Sequence, residues 1–208
     1  MRASEETAVP LDLDDLTLPI AVRPATPPSD EELMRFSERN KPYRIERNKE
    51  GEIIIMTPVG GIGGNHEFLI LAAFTRWMDA GMGGMMFGPN TGFNLPDGSC
   101  LSPDGAWVAG SRWNAFSAEE QEGYPPLCPD FLIAVRFKSD RRRPLEEKMR
   151  LWMENGAKLA WLIDPVEATV TIYRQNAAEQ TLDRPDAVSA DPPAEGFLLK
   201  TSTFWLRG

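Results

Sequence analysis

The run from Phe131 to Phe137, F-L-I-A-V-R-F, constrains the fold more than any other stretch. Side chains alternate across a strand, so a strand with one wet face alternates apolar and polar residues. This run is apolar on both faces as far as Arg136, the pattern of a central strand covered on both sides. Such a strand needs helices to cover it, and the flanking sequence supplies them. Ser29 and Glu32 have capping-box spacing and predict a helix to about Arg39, stopped by Asn40 and Pro42. A second helix is predicted over about 65–80, with Phe68, Leu69, Ala72, Ala73 and Met78 as its buried stripe. The glycine-rich stretch from Pro58 to Gly64 reads as a flexible lead-in to it. It has neither the lysine of a phosphate-binding loop nor G-x-G-x-x-G spacing. A third helix is predicted over about 144–155, with Leu145, Met149 and Trp152 on one side and Gly156 ending it.

Strands are expected at 43–46, 52–56, 85–87, 91–95, 106–109, 159–163, 168–173 and near 197–200, with a surface helix over 113–122. The K-E-G at 49–51 and the L-P-D-G at 95–98 mark turns, and 159–163 with 168–173 reads as a hairpin. Strands mixed with a few long helices predict an α/β fold, a central mixed β-sheet flanked by helices. Trp107, Trp152 and Trp161 are assigned to its core. The length of 208 residues and 42% hydrophobic content suit one sizeable core. Residues 1–28, acidic and carrying Pro10, Pro19, Pro24, Pro27 and Pro28, read as an extended arm tied down only in part. Residues 29–208 read as a single domain.

Charge excludes some classes of function. With 22 basic and 31 acidic side chains the net charge is -9, so a uniformly basic nucleic-acid coat is ruled out while a local basic face is not. Cys100 and Cys128 are too few for a disulfide framework and read as reduced thiols. Neither a secretory signal nor a membrane span is present, so a cytoplasmic location is expected. A single histidine, His66, and the lack of any C-x-x-C exclude the usual zinc sites. His66 beside the glycines has the chemistry to touch phosphate, but a surface or capping role is the plainer reading.

The residues with chemistry cluster around two Pro-Asp steps. In S-P-D-G-A-W-V, Asp104 opens an apolar strand, and carboxylates at strand ends project into clefts. In C-P-D-F-L-I-A-V-R, Asp130 repeats the pattern, although an aspartate after proline often only caps a turn. Along the strand that follows, residues 132, 134 and 136 share a face, which puts Ala134 beside Arg136. An arginine in an apolar strand calls for a partner, and Glu46 or Asp104 would serve; escape to solvent at the strand end is the alternative. Glu46, in Y-R-I-E, shares a strand face with Arg44 and is a candidate second carboxylate for Asp104. Lys148 lies in the third helix. From Arg136 to Arg150 the chain carries seven basic residues against three acidic ones, with Arg141, Arg142 and Arg143 consecutive. In an acidic chain this is where a phosphate backbone would be held, if not simply a solvated face.

Taken in order, R-I-E (44–46), G-E-I-I-I-M-T-P (51–58), G-F-N-L-P-D-G (92–98), S-P-D-G-A-W-V (102–108), C-P-D-F-L-I-A-V-R (128–136), L-E-E-K-M (145–149) and N-G-A-K-L-A-W-L-I-D-P (155–165) resemble a large family of bacterial putative restriction endonucleases, mostly uncharacterised. That family lies within the PD-(D/E)XK nuclease-like superfamily. The resemblance runs from about residue 29 to 175. It implies a restriction-endonuclease-like core in which acidic residues hold Mg²⁺ and a lysine orients the attacking water. The family's aspartate falls on Asp104, its early glutamate on Glu46, its helix lysine on Lys148, and the aspartate opening its central strand on Asp130. Its central glutamate falls on Ala134, and the small serine expected after the arginine is Phe137.

The resemblance thus implies a metal-dependent DNA endonuclease with Asp104, Glu46 and Lys148 as catalytic residues and Asp104 and Glu46 as metal ligands, degenerate at Ala134. Alanine can neither hold a metal nor polarise water, so Mg²⁺ is expected to bind weakly or not at all. The other reading is a non-catalytic DNA-binding or assembly module on the same scaffold. Partners expected on these grounds are DNA, at Arg141–Arg143, and a second copy of the chain, since nucleases of this type often work as dimers.

Overall fold

The computed structural model describes residues 18–205; most of the arm assigned to residues 1–28 lies outside the described residues. Its remainder adds strand β1 (Ile20–Val22) to the edge of β3 (Ile53–Met56), antiparallel, with Ile20 opposite Ile55. Helix α1 (Asp30–Arg39) starts as its capping box requires. The Glu32 N–H donates to Ser29 Oγ at 3.3 Å and the Ser29 N–H to Glu32 Oε2 at 2.8 Å. Strand β2 (Arg44–Arg47) turns back into β3 through a tight loop in which Gly51, at φ +80°, takes a conformation that side chains disfavour.

Helix α2 (Gly61–Asp79) leads to β4 (Met85–Phe87), β5 (Phe93–Asn94), β6 (Cys100–Leu101) and β7 (Gly105–Val108). Short helices α3 (Gly110–Trp113) and α4 (Ala118–Glu122) precede β8 (Phe131–Val135), α5 (Arg142–Glu154), β9 (Leu159–Asp164) and β10 (Thr169–Arg174). Strands β11 (Gln180–Asp183), β12 (Val188–Ser189) and β13 (Leu198–Leu199) follow.

The main sheet has the order β11-β10-β9-β8-β7-β4, antiparallel except for β8 and β9, which are parallel and joined by α5. A second sheet has the order β1-β3-β2-β6-β5. Every residue of β8 is buried, as its apolar run requires. Phe131, Ile133 and Val135 face Ile70, Phe74 and Trp77 of α2 in one core, whereas Leu132 and Ala134 face Met149 and Trp152 of α5 in another. The central strand therefore sits between two helices, and its C-terminal end lies where both sheets meet.

The structure corrects several expectations. The glycine stretch is not a flexible lead-in: Gly60 caps α2 and Gly61, Gly63 and Gly64 form its first turns. At Gly63 a Cβ would stand 2.9 Å from the Phe137 ring, so helix and loop meet too closely there for a larger residue. The stripe of α2 is rotated from the expected one. Ile70, Ala73, Phe74 and Trp77 are buried while Phe68 is 65% exposed. Residues 68–74 are all apolar, so periodicity could not fix the phase of the helix. His66 is neither surface nor cap; it is buried with its ring 5.0 Å from that of Phe204. Residues 113–122 split into α3 and α4, and Trp113 is buried.

Candidate active site

The site forms where β2, the segment before β7, and the end of β8 come together. Strand β2 pairs with β6 through Arg47 and Cys100, antiparallel, so Arg44 and Glu46 lie alongside Ser102 and Asp104. The register of β7 on β8, Gly105 opposite Ile133, carried on by one residue, sets Asp104 beside Ala134. Helix α2 reaches the same place because Gly105 lacks a side chain; a Cβ there would stand 2.6 Å from Ile70 Cγ2. Glu67, one turn earlier on that stripe, is thereby brought to Asp104.

Each carboxylate has partners from the chain itself. Asp104 Oδ1 accepts from Arg44 Nη1 at 3.0 Å and Oδ2 from the Val135 N–H at 2.7 Å. Asp104 thus touches the peptide that joins Ala134 to Val135. Arg44 Nη1 also lies 3.9 Å from Glu67 Oε1. Glu46 Oε1 accepts from the Ser102 N–H at 2.8 Å and from Lys148 Nζ, whose other acceptor is the Ser102 carbonyl at 3.0 Å. Side-chain exposures of 5% for Asp104 and Glu46, 13% for Arg44, 12% for Glu67 and 21% for Lys148 make this a largely closed cluster, with Lys148 its wettest member.

Burial sets the electrostatics. It pushes the Glu67 carboxyl up from its ordinary value, Asp104 adds to the rise and Arg44 opposes it. Burial likewise raises Asp140, whose carboxylate accepts from the Phe137 N–H at 2.8 Å; Asp104 raises it further, and Arg44 and Arg136 pull it down. For Arg44, burial works to lower the value, yet Asp104, Glu46 and Glu67 outweigh it and hold the guanidinium charged.

Of the residues singled out from sequence, Asp104, Ala134, Glu46 and Lys148 are brought to this corner. Others are not. Arg136 pairs with neither Glu46 nor Asp104: its Nη1 donates to Asp164 Oδ2 at 2.8 Å, because β8 and β9 run parallel and end side by side. Asp130 is no neighbour of the site. It stands at the opposite end of β8, roughly 16 Å along the strand from Val135 at about 3.3 Å per residue. There it is fully buried between Arg112 (3.1 Å), Lys158 (2.7 Å) and the Ala109 N–H (2.9 Å). Arg142 and Arg143 make i,i+4 pairs with Glu146 (2.7 Å) and Glu147 (2.9 Å) at the start of α5. Glu67 and the pairing role of Arg44 were not foreseen. An acid three and seven residues before the buried Ile70 and Phe74 was the signal available for Glu67.

Over residues 30–202 the sequence matches the family Uma2, described as putative restriction endonuclease. The chain belongs to that family. Among solved structures, its fold is similar to a putative nuclease of DUF820 from Anabaena variabilis, with a TM-score of 0.65 and 20% identity, over 78% of this chain and 91% of that one. No curated protein matches. The mixed α/β architecture is thus that of a nuclease-like fold. No described helix is long and apolar enough to cross a membrane.

The Mg²⁺ implied for such folds does not suit the side chains found here. A hard cation wants free carboxylate oxygens at short range. Position 134 offers none, Glu46 Oε1 is engaged by both Lys148 and Ser102, and both oxygens of Asp104 are engaged, by Arg44 and Val135. Among the described residues, no three acids, histidines or cysteines gather as a metal-holding group. Arg44 and Lys148 instead balance two of the cluster's three acids.

Proposed function

We propose that this Uma2-family chain is a nuclease relative that holds nucleic acid without hydrolysing it by the metal-dependent route. The observation that carries the reading is Ala134: the residue beside Asp104, at the end of the covered central strand, is a methyl group packed in the core under α5. Metal-assisted phosphodiester hydrolysis needs ligands that fix the ion, which in turn lowers the pKa of water and offsets transition-state charge. Asp104, already bonded to a guanidinium, and Glu46, already bonded to Lys148, make a poor ligand set. The test is Mg²⁺- or Mn²⁺-dependent cleavage of plasmid and single-stranded DNA by purified protein. No cleavage is expected from the wild type, and metal-dependent nicking by it overturns the reading.

Ala134→Glu restores a carboxylate facing Asp104. It is expected to strengthen Mg²⁺ binding in calorimetry under matched buffer, at some cost in stability, because it forces a charged group into an apolar cluster. Equal Mg²⁺ affinity in the two forms counts against placing the site at Asp104 and Ala134.

Binding, on this reading, falls to Arg141, Arg142 and Arg143 at the start of α5, with Lys148 one helical stretch further on. The Arg143–Glu147 pair is a surface contact of small worth, and Arg142, paired with the half-buried Glu146, lies 4.0 Å from the buried Asp164, whose closer partner is Arg136 at 2.8 Å, so exchanging these contacts for phosphate costs little. Affinity should be weak, sequence-independent and steeply salt-dependent, with each lost duplex phosphate contact lowering the log-log salt slope by about 0.9. Replacing the three arginines by glutamine should abolish binding in fluorescence anisotropy at low salt and leave the fold intact. Unchanged affinity in that variant removes this surface and leaves assembly, with DNA uninvolved, as the role of the scaffold. Whether the chain pairs with a second copy is measured by its mass in solution; a dimer is expected.

A further inference from the structure

We infer that Arg44 is the resident cation of this site: its guanidinium occupies the gap between Asp104 and Glu67 and excludes a divalent ion from it. The inference rests on the reading of Ala134 given above. Three observations carry it. Arg44 Nη1 reaches both acids, at 3.0 Å from Asp104 Oδ1 and 3.9 Å from Glu67 Oε1. These three side chains come from β2, the segment before β7, and α2, so they are held by independent elements rather than by local chain geometry. All three are at most 13% exposed, so water screens the two carboxylates poorly and one positive charge must stand between them.

The replacement is chemically sensible. Two carboxylates with a few waters are a normal Mg²⁺ or Mn²⁺ ligand set. A guanidinium offers the same sign of charge, is never deprotonated, and arrives already attached to the chain. It does not polarise water or expand its coordination, so it conserves the electrostatics of the corner and not its chemistry. Glu67 takes the part of the second acid, from a helix rather than from position 134.

The test uses the full chain and Mn²⁺ alone, read by thermal unfolding and by the electron paramagnetic resonance signal of free Mn²⁺. Wild type is expected to unfold at the same temperature in EDTA and in Mn²⁺ and to take up no ion at this site. Arg44→Met in EDTA should unfold at least ~5 °C lower, as expected when a chain of this size loses a buried charge partner, and Mn²⁺ should recover most of that loss. Adding Glu67→Gln to Arg44→Met should abolish the Mn²⁺ response. Wild type taking up Mn²⁺ as tightly as Arg44→Met overturns the inference, as does an Arg44→Met variant with unchanged unfolding and no gain of Mn²⁺. If Arg44→Met does not fold even in Mn²⁺, Arg44→Lys decides: it keeps a cation in the gap and must stay insensitive to Mn²⁺, and a Mn²⁺ response from it overturns the inference. Cleavage of DNA by the wild type would undo the non-cleaving reading by a separate measurement and leave these outcomes to be judged on their own.

Discussion

Asp104→Ala is expected to destabilise the protein by about 3–5 kcal/mol, the range for removing one partner of a buried ion pair. The cost does not lie in losing an attraction, since the pair's Coulomb energy roughly balances its desolvation. It lies in what remains. Arg44, mostly buried and charged, would keep Glu67 at 3.9 Å and the field of Glu46 but no close partner, and the Val135 N–H, now 2.7 Å from Oδ2, would lose its acceptor. Asp104→Asn should lose less, because an amide oxygen can still accept from Val135. Arg44→Met combined with Asp104→Leu removes both charges and should recover the part of the loss that comes from the unpaired guanidinium, as hydrophobic replacements of buried pairs commonly do, but not the part that comes from Val135. Urea denaturation of the set, followed by tryptophan fluorescence, gives the coupling directly. An Ala variant within about 1 kcal/mol of wild type would mean that water reaches Arg44 freely and the cluster is not closed.

That prediction rests on a contact the sequence does not display. The pattern of residues 131–135 foretold a covered central strand, since a run apolar on both faces has few other stable placements. The capping box of α1 was equally legible, because its two bonds depend only on Ser29 and Glu32 at fixed spacing. Asp104 could be picked out because it opens an apolar strand after a proline, whereas Ala134, Glu46 and Lys148 stand out as site positions through the ordered motifs that resemble the nuclease family. What could not be read was which charge meets which. Arg44 and Arg136 are both arginines at strand ends, and nothing local says that the first reaches Asp104 and the second Asp164. That choice is made by strand order, since β2 lies against the segment before β7 whereas β8 lies parallel to β9.

Two of the shortest strands escaped for a related reason. β6 and β12 are two residues long, too short to carry a period; β6 forms on the edge of β2, and β12 pairs with β13, which like β5 falls inside a stretch expected to be a strand. The phase of α2 was misjudged because it is apolar nearly all round. The packing that settles it is the bare backbone of Gly105 under Ile70 and Phe74, a feature of another segment altogether. Glu67 was overlooked with it, because a wrong phase turns an inward acid into an outward one.

Asp130 supplies the second large effect, at the far end of the same strand. Asp130→Ala is expected to cost about 2–3 kcal/mol at neutral pH, mainly by leaving the N–H of the half-buried Ala109 without its 2.9 Å acceptor and by unpairing two cations. Arg112 and Lys158 are themselves more than a third exposed, so their unpairing is softened by water and the figure sits below that for Asp104. The same contacts fix a pH signature. Burial works to raise the Asp130 carboxyl, but Lys158, the Ala109 N–H and Arg112 outweigh it and hold the group below its ordinary value of 3.8. A depressed folded value means that the unfolded chain binds the proton more tightly, so this stability is present above 3.8 and is lost as pH falls below it. Glu67 and Asp140 act in the opposite sense: their raised values make them cost stability at neutral pH, and they repay it on protonation, at pH values above those where Asp130 titrates. The wild type should therefore hold or gain slightly on mild acidification and then weaken steeply below about pH 4, the ordinary range for aspartate. Asp130→Asn should start lower at neutral pH, keep the mild gain, and show a shallower fall below that point. Urea midpoints measured from pH 7 to pH 3 compare the two curves. If they run parallel through the acid limb, the Asp130 cluster does not hold its charge as described.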